Sequence, residues 1–345
     1  RIIILEDTDG DGRHDKRIVF YDKLEYVSGI EVGVGGGGGM SFPNFYFIPD
    51  ADYDGVPDGE PVVLLDGFGT HANAHNIANG FAWGPDGWLY GAIGLSIPSQ
   101  VGKPGTPDAE RVPFNAGVWR YHPRWHKFEA FAQGTSNPWG VDFNAHGQCF
   151  IEACVIPHFF HMIQGGRYQR QGGQHFNPHT YDDIKTIADH LHYAGNIRDH
   201  AHWGKTPGVP TATGVAGGGH AHTGMMIYLG SNWPEQYRND VFTVNFHGRR
   251  INRDHLERHG DLTERHAVEM HDVQRCTRDR GMRNGFLDAG ETDLADVGEH
   301  RGLPLGCHPI DLEQLAAFAR GDERLDGFSG SRGRSEWAVL TGCRK

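Results

Sequence analysis

The fold is indicated first by residues 70–91, which read THANAHNIANGFAWGPDGWLYG. Two apolar, alternating runs flank the tetrapeptide Gly-Pro-Asp-Gly at residues 84–87. Proline presets φ, aspartate bonds its own backbone and glycine accepts a positive φ, so this tetrapeptide predicts a tight turn. The stretch therefore predicts a β-hairpin, with His71 and His75 placed just before its first strand.

The same pattern recurs further along the chain, with a different hairpin, residues 117–131, between the two copies. Two hairpins make a four-stranded unit, and repeated units of this size are typical of propeller blades. A β-sandwich is the alternative, but it does not require the same hairpin twice. We therefore expect an all-β fold of the six-bladed β-propeller type. The matching positions are Gly80, Trp83, Gly87 and Tyr90 in the first copy and Gly140, Phe143, Gly147 and Phe150 in the second.

The composition suits many short strands and excludes some functions. The 345 residues include 50 glycines and 18 prolines, which supply turns, and 38% hydrophobic residues, enough for a sizeable core. A net charge of −12 argues against a nucleic-acid or anionic-membrane surface. The five cysteines form no CxxC pair and do not fix a redox compartment. No apolar run reaches transmembrane length and no signal peptide is present.

Two aspartate-rich segments share one spacing, DxDxDGxxD. Carboxylates at loop positions 1, 3, 5 and 9 around a glycine supply the hard oxygen ligands that calcium prefers. Position 12, where an EF-hand carries glutamate, is Ile18 in one and Pro61 in the other, and strand-like residues flank both. They predict β-hairpins with acidic tips that bind structural calcium; a solvated polar turn is the alternative. The ligand residues would be Asp7, Asp9, Asp11 and Asp15, and Asp50, Asp52, Asp54 and Asp58.

Two further segments interrupt the strand pattern. Residues 33–39 hold six glycines and predict a flexible connection between strands. Residues 152–219 are rich in histidine and predict an insertion, in which residues 181–193 have apolar residues at helical spacing, with Asp182 or Asp183 as N-cap. The insertion and the adjacent His220 and His222 offer a transition-metal site as one interpretation, although no subset shows a tight ligand spacing.

Several long runs identify the chain as resembling one family. They read LEDTDGDG, GFGTHANAHNIANGFAWGPDGWLYG, VGKPGTPDAERVPFNAGVWRYHP, GTSNPWGVDF, VIPHFFHMIQGGRYQRQGGQHFNP, GGGHAHTGMMIYLG and NWPEQYRNDVFTVNFHGRRINRD. They resemble the membrane-bound dehydrogenase-type family of planctomycetes and verrucomicrobia, which are large exported proteins. The resemblance covers about residues 1–260 and implies a six-bladed propeller similar to soluble quinoprotein glucose and sorbosone dehydrogenases. It also implies a periplasmic location and, in full-length relatives, a haem domain as electron acceptor.

The quinoprotein resemblance implies roles for particular residues. A histidine just before the hairpin takes the substrate hydroxyl proton in those enzymes, and His75 falls there. They hold pyrroloquinoline quinone with an Arg-Asn pair; here the pair is Ser136-Asn137, and we expect Arg249 and Arg250 to supply the missing charge. The histidines expected to line the substrate pocket are His71, His220, His222 and His247.

The resemblance stops near residue 260. Residues 261–345 are richer in charged and poorer in aromatic residues, and we expect a poorly structured tail with one short helix beginning at Asp311. The propeller would then be incomplete, beginning inside a strand-like run and lacking closing strands.

Two functions follow from the sequence. The first is an oxidoreductase domain that oxidises a sugar or other alcohol with a quinone, with His75 as base and Asn137, Arg249 and Arg250 around the cofactor. The second is a non-catalytic, calcium-stabilised propeller that binds carbohydrate or protein. A calcium-dependent hydrolase would need an acidic cluster on the propeller axis, which the sequence does not locate.

Overall fold

The computed structural model describes residues 1–11, 13–69, 74–154, 158–173, 175, 182–187, 221–231, 233–245, 250–258, 266–269 and 336–339. Within these residues the chain is almost entirely β. The helical segments there are single 3₁₀ turns at Ala74–Asn76, Asp108–Glu110 and Glu235–Tyr237. The expected all-β class is confirmed.

Most strands form small antiparallel sheets in which successive strands are neighbours. The sheet orders are β3-β4-β5-β6, β7-β8-β11-β12-β16, β13-β14-β15, β17-β18-β19-β20, β2-β1-β21 and the pair β9-β10; the β12–β16 pairing is parallel. The strands are β1 (Ile2–Glu6), β2 (Lys16–Tyr21), β3 (Val27–Val32), β4 (Gly36–Ser41), β5 (Asn44–Pro49), β6 (Val62–Leu65), β7 (Asn79–Trp83), β8 (Leu89–Ile93), β9 (Ser99–Val101), β10 (Val112–Phe114), β11 (Gly117–His122), β12 (Lys127–Thr135), β13 (Asn137–Phe143), β14 (Cys149–Cys154), β15 (Phe159–Met162), β16 (Arg167–Arg170), β17 (His222–Ile227), β18 (Asp240–Asn245), β19 (Arg250–Arg258), β20 (His266–Glu269) and β21 (Glu336–Val339).

The hairpins expected from turn chemistry are present. Strands β7 and β8 pair across the Gly-Pro-Asp-Gly turn, and β13 and β14 form the second copy. In the first turn Gly87 adopts a φ of 79° and its N–H donates to the carbonyl of Gly84 at 3.0 Å. Both aspartate-rich segments connect paired strands, β1 with β2 and β5 with β6, as expected.

The first strands of four successive sheets, β3, β7, β13 and β17, lie side by side and run in the same direction. The Ser28 hydroxyl donates to the carbonyl of Ala78 at one end, and the Trp83 indole donates to the carbonyl of Val32 at the other. Between β7 and β13, the side-chain amide of Asn79 donates to the carbonyl of Pro138. We call the end where these four strands begin the upper end and the end where they finish the lower end.

Glycines allow these first strands to approach closely. A Cβ on Gly80 would lie 3.2 Å from the backbone of Gly140, and a Cβ on Gly140 would lie 2.6 Å from both the backbone nitrogen and the Cβ of Met225. The sheets therefore meet through backbone at the centre, while aromatic residues fill the space farther out. In the second sheet the ring of Trp119, fully buried, packs edge-on against Phe45 and Phe81.

The glycine-rich segment differs from the expectation. Residues 36–41 are the fully buried strand β4, which pairs with β3 and β5, and not a flexible connection. Glycine is required because a Cβ on Gly36 would lie 2.2 Å from the carbonyl oxygen of Ile48, and one on Gly38 would lie 3.1 Å from the Phe45 ring.

The expected insertion also differs where it is described. The sheet continues past residue 152 as β14, β15 and β16. Residues 182–187, at the start of the predicted helix, are not helical. Ile184 instead forms a parallel bridge with Tyr168, because its N–H donates to Arg167 and its carbonyl accepts from Gln169. The remaining residues of that helix lie outside the described residues.

Two segments of the expected tail are strands. Strand β20 pairs with β19, and β21 pairs antiparallel with β1, so that Ile2 opposes Val339. The tail thus adds one strand to each of two sheets. The rest of the tail, including the predicted helix at Asp311, lies outside the described residues. No helix in the described ranges is long and apolar enough to cross a membrane.

We expect Gly140→Ala to destabilise the fold by about 1–3 kcal/mol, because the added methyl overlaps Met225 on the neighbouring first strand. Urea unfolding followed by tryptophan fluorescence measures this. Gly172→Ala is the matched control, since nothing lies within 4 Å of its Cβ position. Equal stability of the two variants would contradict a close approach of β13 and β17.

Candidate functional site

His75 lies at the upper end, in the 3₁₀ turn that precedes β7, and its side chain is exposed. Its backbone carbonyl accepts a hydrogen bond of 3.1 Å from the indole of Trp139, a residue of β13. The turn that carries His75 is thereby tied to the next sheet. An imidazole carried on such a turn can act as a general base toward an alcohol.

Two asparagines meet beside this turn. The side-chain oxygens of Asn76 and Asn137 both lie 2.5 Å from the position that a Cβ on Gly94 would occupy. Asn76 is fixed because its side-chain oxygen accepts from the N–H of Ser96 at 3.2 Å and its carbonyl accepts from Gly94 at 3.0 Å. Asn137 Oδ1 is buried and accepts no hydrogen bond within the described ranges. The structure therefore brings the predicted Asn137 next to the turn of the predicted His75.

Asn76 is a residue that the sequence reasoning missed. It adjoins His75 in sequence, but its burial and its approach to Asn137 depend on Gly94, which no local pattern connects to it.

Ser136 occupies the position where the quinoprotein resemblance implies arginine. Its side chain is buried, its hydroxyl donates to the carbonyl of Cys154 at 3.0 Å, and its own carbonyl accepts from Leu95. Ser136 therefore stabilises the crossing between sheets and brings no positive charge to Asn137.

His222 is placed differently from the expected pocket lining. It opens β17, is fully buried, and stacks on the ring of His158 with 4.7 Å between centroids. Its Nε2 lies 3.4 Å from the side-chain amides of Asn245 and Asn252. These contacts place it between the third and fourth sheets. His71, His220, His247 and Arg249 lie outside the described residues; Arg250 begins β19, and its backbone pairs with Asn245.

Glu152 is fully buried in the same region. Burial raises the pKa of Glu152 well above its ordinary value, against a hydrogen bond that its carboxyl group accepts from the backbone N–H of Trp139. It pairs in register with Gly140, so it is part of the centre of the sheet.

The aspartate-rich loops have closely similar geometry. Carboxylate oxygens of Asp7, Asp9 and Asp11 lie within 4.8 Å of one another, and so do those of the corresponding residues in the second loop, Asp50, Asp52 and Asp54. The ninth-position aspartates are bonded elsewhere: Asp15 Oδ1 accepts from the N–H of Thr8 at 3.0 Å, and Asp58 Oδ2 accepts from the N–H of Ala51 at 2.7 Å. Each loop therefore clusters three of its four predicted carboxylates.

The second loop is more firmly anchored than the first. Asp50 is fully buried, and burial raises its pKa although the N–H groups of Gly55 and Asp54 donate to it. A Cβ on Gly55 would lie 3.1 Å from Ile4 and 3.2 Å from Ile18, so this loop packs on the β1–β2 sheet.

Two half-buried carboxylates lie near the lower end. Burial raises the pKa of Glu31 on β3 to about 7. The hydrogen bond from the N–H of Val32 lowers this pKa, and the negative charge of Asp142 on β13 raises it. Burial also raises the pKa of Asp142, whose oxygens accept from the N–H groups of Ile227 and Phe143.

We expect Glu31 to make the fold less stable as pH rises. The unfolded chain loses this proton near the ordinary pKa of 4.5 and the folded chain only near 7, so the free energy of unfolding falls across this interval. The free energy of unfolding of Glu31→Gln should therefore exceed that of the wild type by about 1–2 kcal/mol at pH 8. At pH 4.5 the two free energies should be equal. Urea unfolding at both pH values tests this, with the exposed Glu25→Gln as control. A pH-independent difference would show that Glu31 does not titrate in this interval.

No curated protein matches the chain significantly. Among solved structures, the chain is similar to a glucose dehydrogenase-type oxidoreductase from Thermus thermophilus (12% identity, 73% of this chain and 85% of that one, TM-score 0.34). It is also similar to the aldose sugar dehydrogenase of Streptomyces coelicolor in its PQQ-bound form (14% identity, 68% of this chain and 61% of that one, TM-score 0.40). A further glucose dehydrogenase is similar as well (15% identity, 69% of this chain and 66% of that one, TM-score 0.39). At these TM-scores the likeness carries no argument about function.

The sequence itself gives a firmer assignment. The sequence profile of DUF7133, a domain family of unknown function, matches residues 1–277. This match covers well over half of the 345 residues. The chain belongs to the DUF7133 family.

Proposed function

We propose that this domain oxidises a sugar or another alcohol at the upper end of its sheets, with His75 as the general base. The observation that carries the proposal is the position of His75: exposed, with its backbone held by Trp139 and next to the buried amides of Asn76 and Asn137. An imidazole in a fixed turn takes the hydroxyl proton, while the adjacent amides orient the hydroxyl groups of the substrate.

A quinone cofactor fits this donor set in part. The buried Oδ1 of Asn137, which accepts no hydrogen bond within the described residues, suits a polar ligand that donates a hydrogen bond. Arg249 and Arg250 are proposed to balance the carboxylates of pyrroloquinoline quinone, because Ser136 brings no charge. When bound, such a quinone supplies the acceptor for the two electrons that leave the alcohol carbon.

The wider setting follows the resemblance of residues 1–260. We propose that the domain acts in the periplasm, as the membrane-bound dehydrogenase-type proteins of planctomycetes and verrucomicrobia are expected to do. We also propose that a haem domain accepts its electrons in a longer protein. A propeller with six blades, closed by the pairing of β21 with β1, is the architecture that we propose for it.

The base is tested by His75→Ala in protein reconstituted with pyrroloquinoline quinone and calcium. Reduction of an artificial dye with a panel of sugars should fall at least a hundredfold, because general base catalysis contributes about 10²–10⁴. His146→Ala, at an exposed turn of the second hairpin, should keep wild-type activity. Dye reduction that survives in His75→Ala would remove His75 from the chemistry.

A second candidate function is a non-catalytic propeller that binds carbohydrate or protein and is stabilised by calcium. The two three-aspartate clusters favour it, because calcium takes several carboxylate oxygens from one loop. In the second loop, calcium would fix the contact of Gly55 with Ile4 and Ile18 and so join two sheets.

Calcium at about a hundredfold excess over its Kd should raise the melting temperature of the wild type by about 5 °C. The variant carrying Asp9→Asn and Asp52→Asn should lose most of this increase, because each change removes a carboxylate from a cluster. Asp22→Asn, an exposed aspartate outside both loops, should keep it. Differential scanning calorimetry with and without a chelator measures all three. An equal increase in all three proteins would mean that the loops do not hold the ion.

A further inference from the structure

Arg170 differs from the other well-packed arginines in the described part of the chain. Arg120 pairs with Asp86 and Glu129, Arg167 pairs with Asp183 at 2.6 Å, and Arg111 and Arg253 each contact an aspartate. The half-buried guanidinium of Arg170 donates instead to neutral acceptors: Nη1 and Nη2 to Asn115 at 3.3 Å, and Nε to the carbonyl of Gly172 at 2.9 Å. It has no ion pair within the described residues.

Arg170 and Arg167 lie near His175: burial lowers the pKa of His175, and the positive charges of both arginines add to this effect. His175 and Arg167 both lie close to Asp183. Asp183 is engaged by Arg167 and does not reach ion-pair distance of Arg170. Burial lowers the pKa of Arg170, although the negative charge of Asp183 opposes this effect.

Hydrogen bonds connect Arg170 to the upper end. Its partner Asn115 donates to the carbonyl of Leu95 at 3.0 Å, and the N–H of Leu95 donates to the carbonyl of Ser136 at 2.9 Å. Ser136 precedes Asn137, and Arg170 pairs in register with Thr135 at the end of β12. Arg170 therefore lies at the same end of the sheets as His75 and Asn137, and its guanidinium is held in a fixed orientation by Asn115.

We propose that Arg170 is the anchor of a carboxylate-binding subsite and that the molecule bound there is a sugar acid. Nε, Nη1 and one N–H of Nη2 already donate to Gly172 and Asn115, so the second N–H of Nη2 is the donor left for a ligand. A half-buried cation with no ion pair in the described residues gains most from a negatively charged ligand, and a carboxylate that accepts a hydrogen bond from a guanidinium is such a ligand. The subsite itself follows from Arg170 and its neighbours. The choice of a sugar acid rests on the proposed function, because the ligand must place a hydroxyl near His75 and its carboxylate at Arg170.

Isothermal titration calorimetry on the full chain tests the subsite without turnover. D-glucuronate should bind the wild type at least tenfold more tightly than neutral D-glucose. Arg170→Gln should lose at least tenfold in glucuronate affinity, with an unchanged circular dichroism spectrum. Arg124→Gln, which changes an exposed arginine at another turn, should bind as the wild type does.

Pyrroloquinoline quinone, which also carries carboxylates, is titrated in parallel to identify the source. If Arg170→Gln weakens the quinone and leaves glucuronate unchanged, the subsite belongs to the cofactor and the sugar-acid assignment is overturned. If neither affinity changes, or if the wild type binds glucuronate no better than glucose, the sugar-acid proposal fails. Should Arg170→Gln not fold, Arg170→Lys keeps the charge but lacks the planar guanidinium that Asn115 holds in place, and its affinity for glucuronate must fall severalfold. Because the readout is binding, inactivity of His75→Ala and failure of this subsite remain separate results.

Discussion

The close approach of backbone between neighbouring first strands is the constraint on which the rest of this structure depends. Gly80 against Gly140, and Gly140 against Met225, leave no space for a further side chain. Because these strands touch through backbone, the sheets fan outward, and the large aromatic side chains fill the wider spaces between them. The hydrogen bonds from Ser28, Trp83 and Asn79 then fix the strands in a common direction and register.

The common direction of the first strands explains where the polar residues collect. Each first strand begins at the upper end, so the connections that lead into them also meet there. His75 arrives on the connection into β7, while Ser136 and Asn137 arrive on the connection into β13. Residues distant in sequence thus reach one region without a single long loop being responsible. At the lower end the same geometry gathers Glu31 and Asp142, and burial raises the pKa of both carboxyl groups.

The parts of the fold that could be predicted are those that local chemistry decides. The Gly-Pro-Asp-Gly turn and the alternating runs around it specify the hairpin β7–β8, and the two aspartate-rich tips follow from spacing alone. Strand β4 could not be predicted, because its glycines have no side-chain pattern and become a strand only where Ile48 and Phe45 leave no room. Residues 182–187 look helical, but hydrogen bonds of Ile184 with the β16 strand outweigh that local preference. Of the candidate site, His75 and Asn137 are named from the sequence and the resemblance, and their roles stay predictions. Asn76 and Arg170 were missed because their roles depend on contacts with Gly94 and Asn115, distant in sequence.

The separation between the packed centre and the upper end has a consequence for how this domain can change over generations. The contacts that hold the sheets together lie between residues such as Gly140 and Met225, inside the strands. The residues proposed for the chemistry, such as His75, lie on the segments that enter those strands. A substitution in a connecting segment can therefore change which ligand is recognised without removing the glycine contacts that stabilise the fold. Proteins that share this scaffold can therefore bind different ligands while they keep the same fold.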